Sequence, residues 1–437
     1  MKQTKKILNE LRAYESRNVT FMESDGSWPI VWERAKGVHV WDVEGRKYLD
    51  LTAAFGVAAA GHANPRVVRA GQRQMGKLLH AMGDVHPHPL KAQLARQLSL
   101  LTFERWTRSR RVSSTGKVIF CNSGFEAVEA ALKTAVLATS KPGVIAFQKG
   151  YHGLGYGALN ATHRDHFRWP FRSQLSGFGN FVEFPTRPEQ LKKVERAICE
   201  LMRAKEIGAI VIEPIQARGG INVPPPRFLN LLRDLCDEFG ALLILDEVYT
   251  GFGRTGKWFA CEHWNTIPDL ICLGKAMSGG FPISACVGRA DLMDAAWPVS
   301  SGEAIHTSTF LGHPVGCAMA LAQIEEIRKQ GLVKRSEQLG NYLLKMLRGK
   351  IKNPQFEINV RGMGLMVGVD LCLAEGVPAT IVSLRIIKEM LHRGFVMLPE
   401  GEHANVISFT PPLTITREQL AETVKALQSL LSHEKTS

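Results

Sequence analysis

Two reactive residue types lie at the ends of apolar runs. In DLICLGKAMSGG (269–280), Lys275 follows a short apolar stretch and precedes two glycines. In ALLILDE (241–247), a second apolar stretch ends in Asp246 and Glu247. A lysine amine can form a Schiff base with an aldehyde. A carboxylate can keep a pyridine nitrogen protonated, which makes the ring an electron sink. Lys275 and Asp246 are therefore the candidate catalytic pair for pyridoxal-phosphate chemistry.

Other candidates gain weight from that pair. CNSGFEAVEAALK (121–133) places Ser123 three residues before Glu126, a capping-box spacing. Gly124 leaves the backbone N–H groups of this helix start approachable, which suits an anion such as phosphate. The same residues also fit an ordinary capped helix. FQKGYHGLGYGAL (147–159) sets Tyr151 and His152 between glycines, where an aromatic face could cover a planar ring. Aromatic loop residues are common, so alone this decides nothing. Glu213 ends AIVIEP (209–214), and a satisfied structural carboxylate explains it as well as a catalytic one.

Elements must bring these residues together. From about 117 to 290, short apolar runs alternate with helical stretches. The runs are KVIFC (117–121), AIVIEP, ALLILDE, LICLG (270–274) and ISACVG (283–288). The helical stretches include EAVEAALKTAV (126–136) and PEQLKKVERAICELMRAK (188–205). Strands apolar on both faces, separated by helices, predict a mostly parallel sheet flanked by helices. GVHVWDVEGRKYLDLT (37–52) reads as a hairpin turning at Glu44-Gly45. Residues 90–100 read as an amphipathic helix. Further helices are expected at 316–328, 333–348, 380–392 and 417–432, the last capped by Thr416 with Gln419. INVRGMGLMVGVDL (358–371) reads as a strand pair or one long strand. The α/β chain thus divides into a large domain and a smaller α/β domain, with boundaries at 1–60 (feeding the small domain), 61–325 and 326–437.

Composition narrows the function classes. With 437 residues, 45% apolar and 22% charged, the chain fits a soluble two-domain enzyme. No apolar run reaches the roughly 18 residues a membrane span needs. The basic N-terminus lacks a secretory pattern, so a cytoplasmic location is expected. The eight cysteines form no CxxC pair and suit buried free thiols. No clustered ligands suggest a metal site. The net charge of +13 could attract nucleic acid, yet the only dense basic run is RWTRSRR (105–111) and no recognition motif joins it.

Taken together, the segments resemble the class III pyridoxal-phosphate-dependent aminotransferases of fold type I. The resemblance runs through GHANP (61–65), NSGFEAVEAALK, YHG, IEPIQ, LDEVYTGFGRTG, DLICLGKAMSGGFP, HTSTFLGHP and RGMGLM, in family order. It implies that Lys275 carries pyridoxal 5'-phosphate and that Asp246 partners the pyridine nitrogen. It implies that Val248 and Tyr151 cover the two ring faces, with His152 alongside. Ser123, Gly124 and Phe125 occupy the phosphate-loop positions. Glu213 and Gln216 match groups near the cofactor hydroxyl. Thr309 matches a phosphate ligand supplied by the partner subunit, so a homodimer with shared active sites is implied. Arg361 matches an arginine that binds a substrate carboxylate.

Three departures stand out. Phe125 replaces a small or hydroxyl residue. TFLGHP brings Leu311 and His313 where TFGGNP is usual. Ala217-Arg218 replaces a glycine-glutamate pair, and that glutamate pairs with the carboxylate-binding arginine in relatives acting on omega-amino acids. Arg218 could instead clamp an anionic substrate group or ion-pair at the rim. The implied activity is transfer of an amino group from an amino acid or amine to a 2-oxo acid through a Lys275 Schiff base. A racemase, epimerase or aminomutase would use the same residues, and a basic binding protein that kept the fold is the non-enzymatic alternative.

Overall fold

The computed structural model describes residues 2–23, 27–108 and 114–434. Its central sheet has seven strands. In spatial order they are Gly116–Cys121, Ser284–Arg289, Leu270–Leu273, Leu242–Asp246, Ile207–Ile212, Gly143–Phe147 and Gly179–Val182. The five strands from Leu270–Leu273 to Gly179–Val182 pair in parallel. Ser284–Arg289 alone runs against its two neighbours. Ile207–Ile212 and Leu270–Leu273 are buried at every position. Helices on both faces require such uninterrupted apolar runs.

Two helices show how the faces are covered. Gly124–Thr139 buries Ala127, Ala130, Ala131 and Ala135. These small side chains let it lie close over the Leu270–Leu273 and Ser284–Arg289 strands. Phe228–Phe239 buries Phe228, Leu229, Leu232, Leu235 and Cys236, one face of a 3.6-residue repeat. Neither this helix nor the Gly179–Val182 strand is among the elements expected from the sequence.

The remaining chain builds two four-stranded sheets. Glu357–Met363 and Met366–Cys372 form an antiparallel pair, continued by Val406–Phe409 and Leu398–Glu400. The expected segment is thus a strand pair. Gly364 makes its turn at φ +55°, and a Cβ there would lie 2.4 Å from the Thr255 carbonyl carbon. The other sheet joins Trp32–Lys36, His39–Asp42 and Lys47–Asp50 to Phe395–Val396. Residues 47–50 pair in parallel with 395–396, so the N-terminal segment is built into the C-terminal region. The Arg417–Leu431 helix begins with the anticipated reciprocal cap: Gln419 N–H donates to Thr416 Oγ1 at 3.3 Å, and Thr416 N–H to Gln419 Oε1 at 2.9 Å. Residues 109–111 of the basic run lie outside the described residues. Among the described residues no helix is long and apolar enough to cross a membrane.

Candidate active site

Parallel strands end on one side of a sheet, and ligands collect there. Four of the candidate segments follow directly from this. Asp246 ends Leu242–Asp246, Glu213 follows Ile207–Ile212, and Lys275 lies just past Leu270–Leu273. The Tyr151-His152 loop follows Gly143–Phe147. Because Ser284–Arg289 reverses direction, Gly116–Cys121 also ends on this side and delivers Ser123 and Gly124. They enclose a cavity of about 530 Å³ whose walls include Lys275, Asp246, Glu213, Tyr151, Val248 and Arg218.

Charge is arranged tightly around this cavity. Asp246 Oδ2 lies 2.8 Å from His152 Nδ1, and both residues are buried. Asp246 Oδ1 accepts the Val248 N–H at 3.1 Å. Burial opposes charge on His152, but Asp246 and then Glu213 outweigh it and raise the imidazole pKa. Glu213 accepts N–H groups of Tyr151 at 2.9 Å and Ala217 at 3.0 Å. Burial pushes its carboxyl up to about 7, with His152 opposing and Asp246 adding to the rise. Lys275 is half-buried as a residue, but its amine end is enclosed, and burial lowers its pKa. Asp246 and Glu213 partly oppose that effect. Its Nζ lies 4.7 Å from the Tyr249 ring centre. The backbone of Lys275 holds φ at +41°, a conformation that costs a non-glycine residue roughly 1–3 kcal/mol.

The phosphate-loop residues fit an anion. Only half of the expected capping box forms. Glu126 accepts the N–H groups of Asn122 and Ser123 at 2.6 and 3.0 Å. Ser123 Oγ is buried and makes no hydrogen bond. A hydroxyl freed from capping, beside the N-terminus of a 16-residue helix, is a donor awaiting an acceptor. Gly124 is forced by packing, since a Cβ there would lie 2.8 Å from Val248 Cγ1. The Phe125 side chain leans on the next loop: a Cβ on Gly153 would come within 2.2 Å of its Cβ. Phe125 therefore offers the site its backbone. A phosphate at this helix end and a planar ring between Val248 and Tyr151, over Asp246, match the residues present.

Three expected site residues lie elsewhere. Gln216 does not line the cavity. Its Nε2 donates to the Gln148 carbonyl at 2.7 Å and its Oε1 accepts from Asn222 Nδ2 at 2.9 Å, so it ties the Glu213–Asn222 loop together. Thr309 is exposed and does not line this chain's cavity. Arg361, the expected carboxylate clamp, is half-buried and is not among the residues lining this cavity. Its Nη1 pairs with Asp370 at 2.7 Å, Nη2 donates to the Gly220 carbonyl at 2.6 Å and Nε to that of Ile221 at 3.1 Å. With each guanidinium nitrogen engaged, Arg361 braces the loop that carries Arg218. Arg218 itself lines the cavity, stacked 5.0 Å from the Tyr151 ring centre and 5.8 Å from that of Phe167.

Several wall residues were not anticipated. Phe55 stands on a turn in which Ala53, Ala54 and Phe55 all have positive φ, between 47° and 60°. Tyr249 and Leu154 also line the cavity. Glu400, at the end of the Leu398–Glu400 strand, is buried but is not among the residues lining the cavity; burial raises its carboxyl to about 7, with Arg218 and Lys275 opposing. A carboxylate ending a short strand was its one available signal.

Comparison with known proteins agrees with this geometry. The chain matches the family described as Aminotransferase class-III over residues 20–431. An acetylornithine aminotransferase of Methanosarcina mazei is 37% identical over 407 residues, covering 93% of each chain. The ornithine aminotransferase structure from Toxoplasma gondii ME49 superposes with a TM-score of 0.83 at 27% identity, covering 99% of this chain and 95% of that one. A transaminase from the marine bacterium Virgibacillus gives 0.88 at 25% identity, covering 98% of each. This chain belongs to the class III aminotransferases and is a pyridoxal-phosphate-dependent enzyme that moves an amino group from a donor to a 2-oxo acid.

Proposed function

We propose that Lys275 and Asp246 are the catalytic residues of this transfer and that Arg218 selects a donor or acceptor carrying an anionic group. The observation that carries the reading is the convergence of Lys275, the Asp246–His152 pair and Arg218 on one cavity. When bound, pyridoxal phosphate supplies an electron-poor ring that takes up the electron pair left when a substrate C–H bond is broken. Asp246 holds the proton on the ring nitrogen, and His152 holds Asp246. Ser123 Oγ and the backbone N–H groups of Gly124 and Phe125 hold the phosphate. Val248 and Tyr151 would confine the ring and Glu213 would serve its hydroxyl, with Gln216 acting through the loop it ties. Burial lowers the Lys275 pKa, so its amine is more readily neutral and can accept the substrate proton at Nζ and return it.

The finer assembly follows from the same residues. Thr309 is exposed, which suits a contact to the phosphate of a neighbouring copy in a homodimer with shared sites. The sheet that joins residues 47–50 to 395–396 supports a small domain made from 1–60 and 326–437 around a large domain of 61–325. A cytoplasmic enzyme acting on small molecules, bound to neither nucleic acid nor membrane, fits the free thiols. Borohydride reduction of the holoenzyme, followed by peptide mapping, tests the central assignment. Cofactor fixed on the Lys275 peptide is expected, and fixation on another lysine refutes it. A donor screen should favour glutamate over neutral monocarboxylate donors; an equal effect of R218A on both would reject Arg218 as the selector.

A further inference from the structure

Arg218 is held at both ends. Its carbonyl accepts the Gly401 N–H at 3.0 Å, and Arg361 fixes the next turn of chain through the Gly220 and Ile221 carbonyls. At the other end its guanidinium lies 5.0 Å from the Tyr151 ring centre and 5.8 Å from that of Phe167. The two rings meet edge to face, 5.5 Å apart at 66°. Phe167 belongs to the short helix Asp165–Arg168, is half-buried and does not line the cavity. Two further groups pack on it: the Arg164 guanidinium at 5.2 Å and the His166 ring at 5.0 Å. The segment leading into it is tied to the chain on both sides of Tyr151. The His163 N–H donates to the Gly150 carbonyl at 2.9 Å, the His152 N–H to Thr162 Oγ1 at 2.9 Å, and Thr162 Oγ1 to the Gly153 carbonyl at 3.0 Å. Phe167 therefore keeps a fixed relation to the aromatic wall of the cavity.

We infer that Phe167 is a positioning residue for substrate specificity: with Tyr151 it clamps the Arg218 guanidinium, so that an anionic substrate group is received at one place in the cavity. This role rests on the reading that Arg218 receives that group. The physical reason is preorganisation. An arginine side chain has several rotatable bonds, and binding through it costs the entropy of ordering them. Contacts made before the substrate arrives remove much of that cost. The backbone on either side of Arg218 is already fixed, so the two rings act on the freedom that remains, that of the side chain. A guanidinium over aromatic faces keeps its in-plane N–H donors open to a carboxylate. Arg361 pairs with Asp370 at 2.7 Å, whereas Arg218 forms no ion pair within 4 Å among the described residues. Its charge is thus held in place by rings rather than neutralised by a neighbour. A neutral substrate group gains nothing from the clamp. Phe167 stands behind the cavity wall and acts through Arg218.

Glutarate is a suitable probe because it carries two carboxylates and no amine to react. Its binding to the holoenzyme would be followed calorimetrically in wild type, F167L, F167M and F167Y, each with and without R218A. F167L and F167M keep apolar bulk and remove the aromatic face, whereas F167Y keeps the face. F167L and F167M should weaken glutarate binding by roughly 3- to 10-fold, the size of a half-buried cation–aromatic contact. F167Y should stay within about twofold of wild type. R218A should weaken binding by roughly 10- to 100-fold, and adding F167L to it should change the constant by less than about twofold. Unchanged binding in F167L and F167M overturns the role of Phe167. So does an equal loss on adding F167L to R218A, because Phe167 would then act through something other than Arg218. Cofactor absorbance reports whether each variant keeps its pocket. If F167L loses the cofactor, F167M set against F167Y decides; if both F167L and F167M lose it, Phe167 serves the fold of the Tyr151 loop and the positioning role is overturned. If R218A binds as wild type does, the Arg218 reading itself fails, and a wild-type holoenzyme that binds no glutarate overturns both.

Discussion

Gly124 gives the most direct test of how the chain shapes its cofactor pocket. A Cβ at this position would lie 2.8 Å from Val248 Cγ1 and 3.4 Å from Cγ2. Val248 has little room to retreat, because a Cβ on Gly274 would meet the same Cγ1 at 3.3 Å. As a β-branched residue it also has few low-energy rotamers. The open direction is the cavity it lines. In the apoprotein, G124A can push Val248 that way at small cost. On the proposed placement of the cofactor ring against Val248, that space is filled in the holoenzyme and the overlap must be absorbed. Overpacking of this kind costs about 1–3 kcal/mol, which weakens binding by roughly 5- to 150-fold.

The assay is a titration of apoprotein with pyridoxal phosphate, followed by absorbance, beside denaturant unfolding of the apoprotein. G124A should unfold near the wild-type midpoint and bind cofactor more weakly within that range. The double variant G124A/V248A should bind better than G124A, because the colliding methyl groups are gone. A G124A dissociation constant within about twofold of wild type would refute the packing argument, as would failure of V248A to improve it.

Three further outcomes are expected. R361A should lower apoprotein stability by about 2 kcal/mol through loss of its links to Asp370, Gly220 and Ile221; unchanged unfolding with a raised KM for every carboxylate substrate would restore the clamp role. Glu213 is raised to about 7, so the stability it contributes is full below its unfolded value near 4.5 and is lost as pH rises to about 7. Urea midpoints of the apoprotein should therefore fall less between pH 5 and pH 7.5 in E213Q than in wild type, and equal slopes would contradict this. Mixing inactive K275A and T309A subunits should regain activity if mixed dimers contain one intact composite site, whereas an active monomer by light scattering would exclude shared sites.

The legible parts of this chain share one property: each is carried by local pattern. Apolar runs with no polar alternation marked the buried strands, and the residues just after them are the ones that reach the cavity. Lys275, Asp246, Glu213 and His152 were found in this way because sheet topology turns a position in sequence into a position at a rim. The missed elements lack a strong local pattern. Gly179–Val182 is a four-residue edge strand, half exposed along most of its length. The turn carrying Phe55 depends on alanines held at positive φ, for which their side chains give no cue.

Arg361 shows what a motif leaves out. Resemblance identifies a residue type at a place, but not what already holds its guanidinium; here three of its five N–H donors are taken by the protein. Asp370 and the carbonyls of Gly220 and Ile221 engage Nη1, Nη2 and Nε, and those partners lie 9 to 141 residues away in sequence. No window along the chain contains that information. Ser123 is the reverse case. Its spacing to Glu126 pointed to a reciprocal cap, yet Glu126 alone makes the cap and the hydroxyl stays free. A donor withheld from its local partner is more informative than a satisfied one, because burial without a hydrogen bond is costly unless something else completes it. The free Ser123 hydroxyl is therefore the position at which this structure bears most directly on what it binds: a group that accepts a hydrogen bond at the start of the Gly124–Thr139 helix.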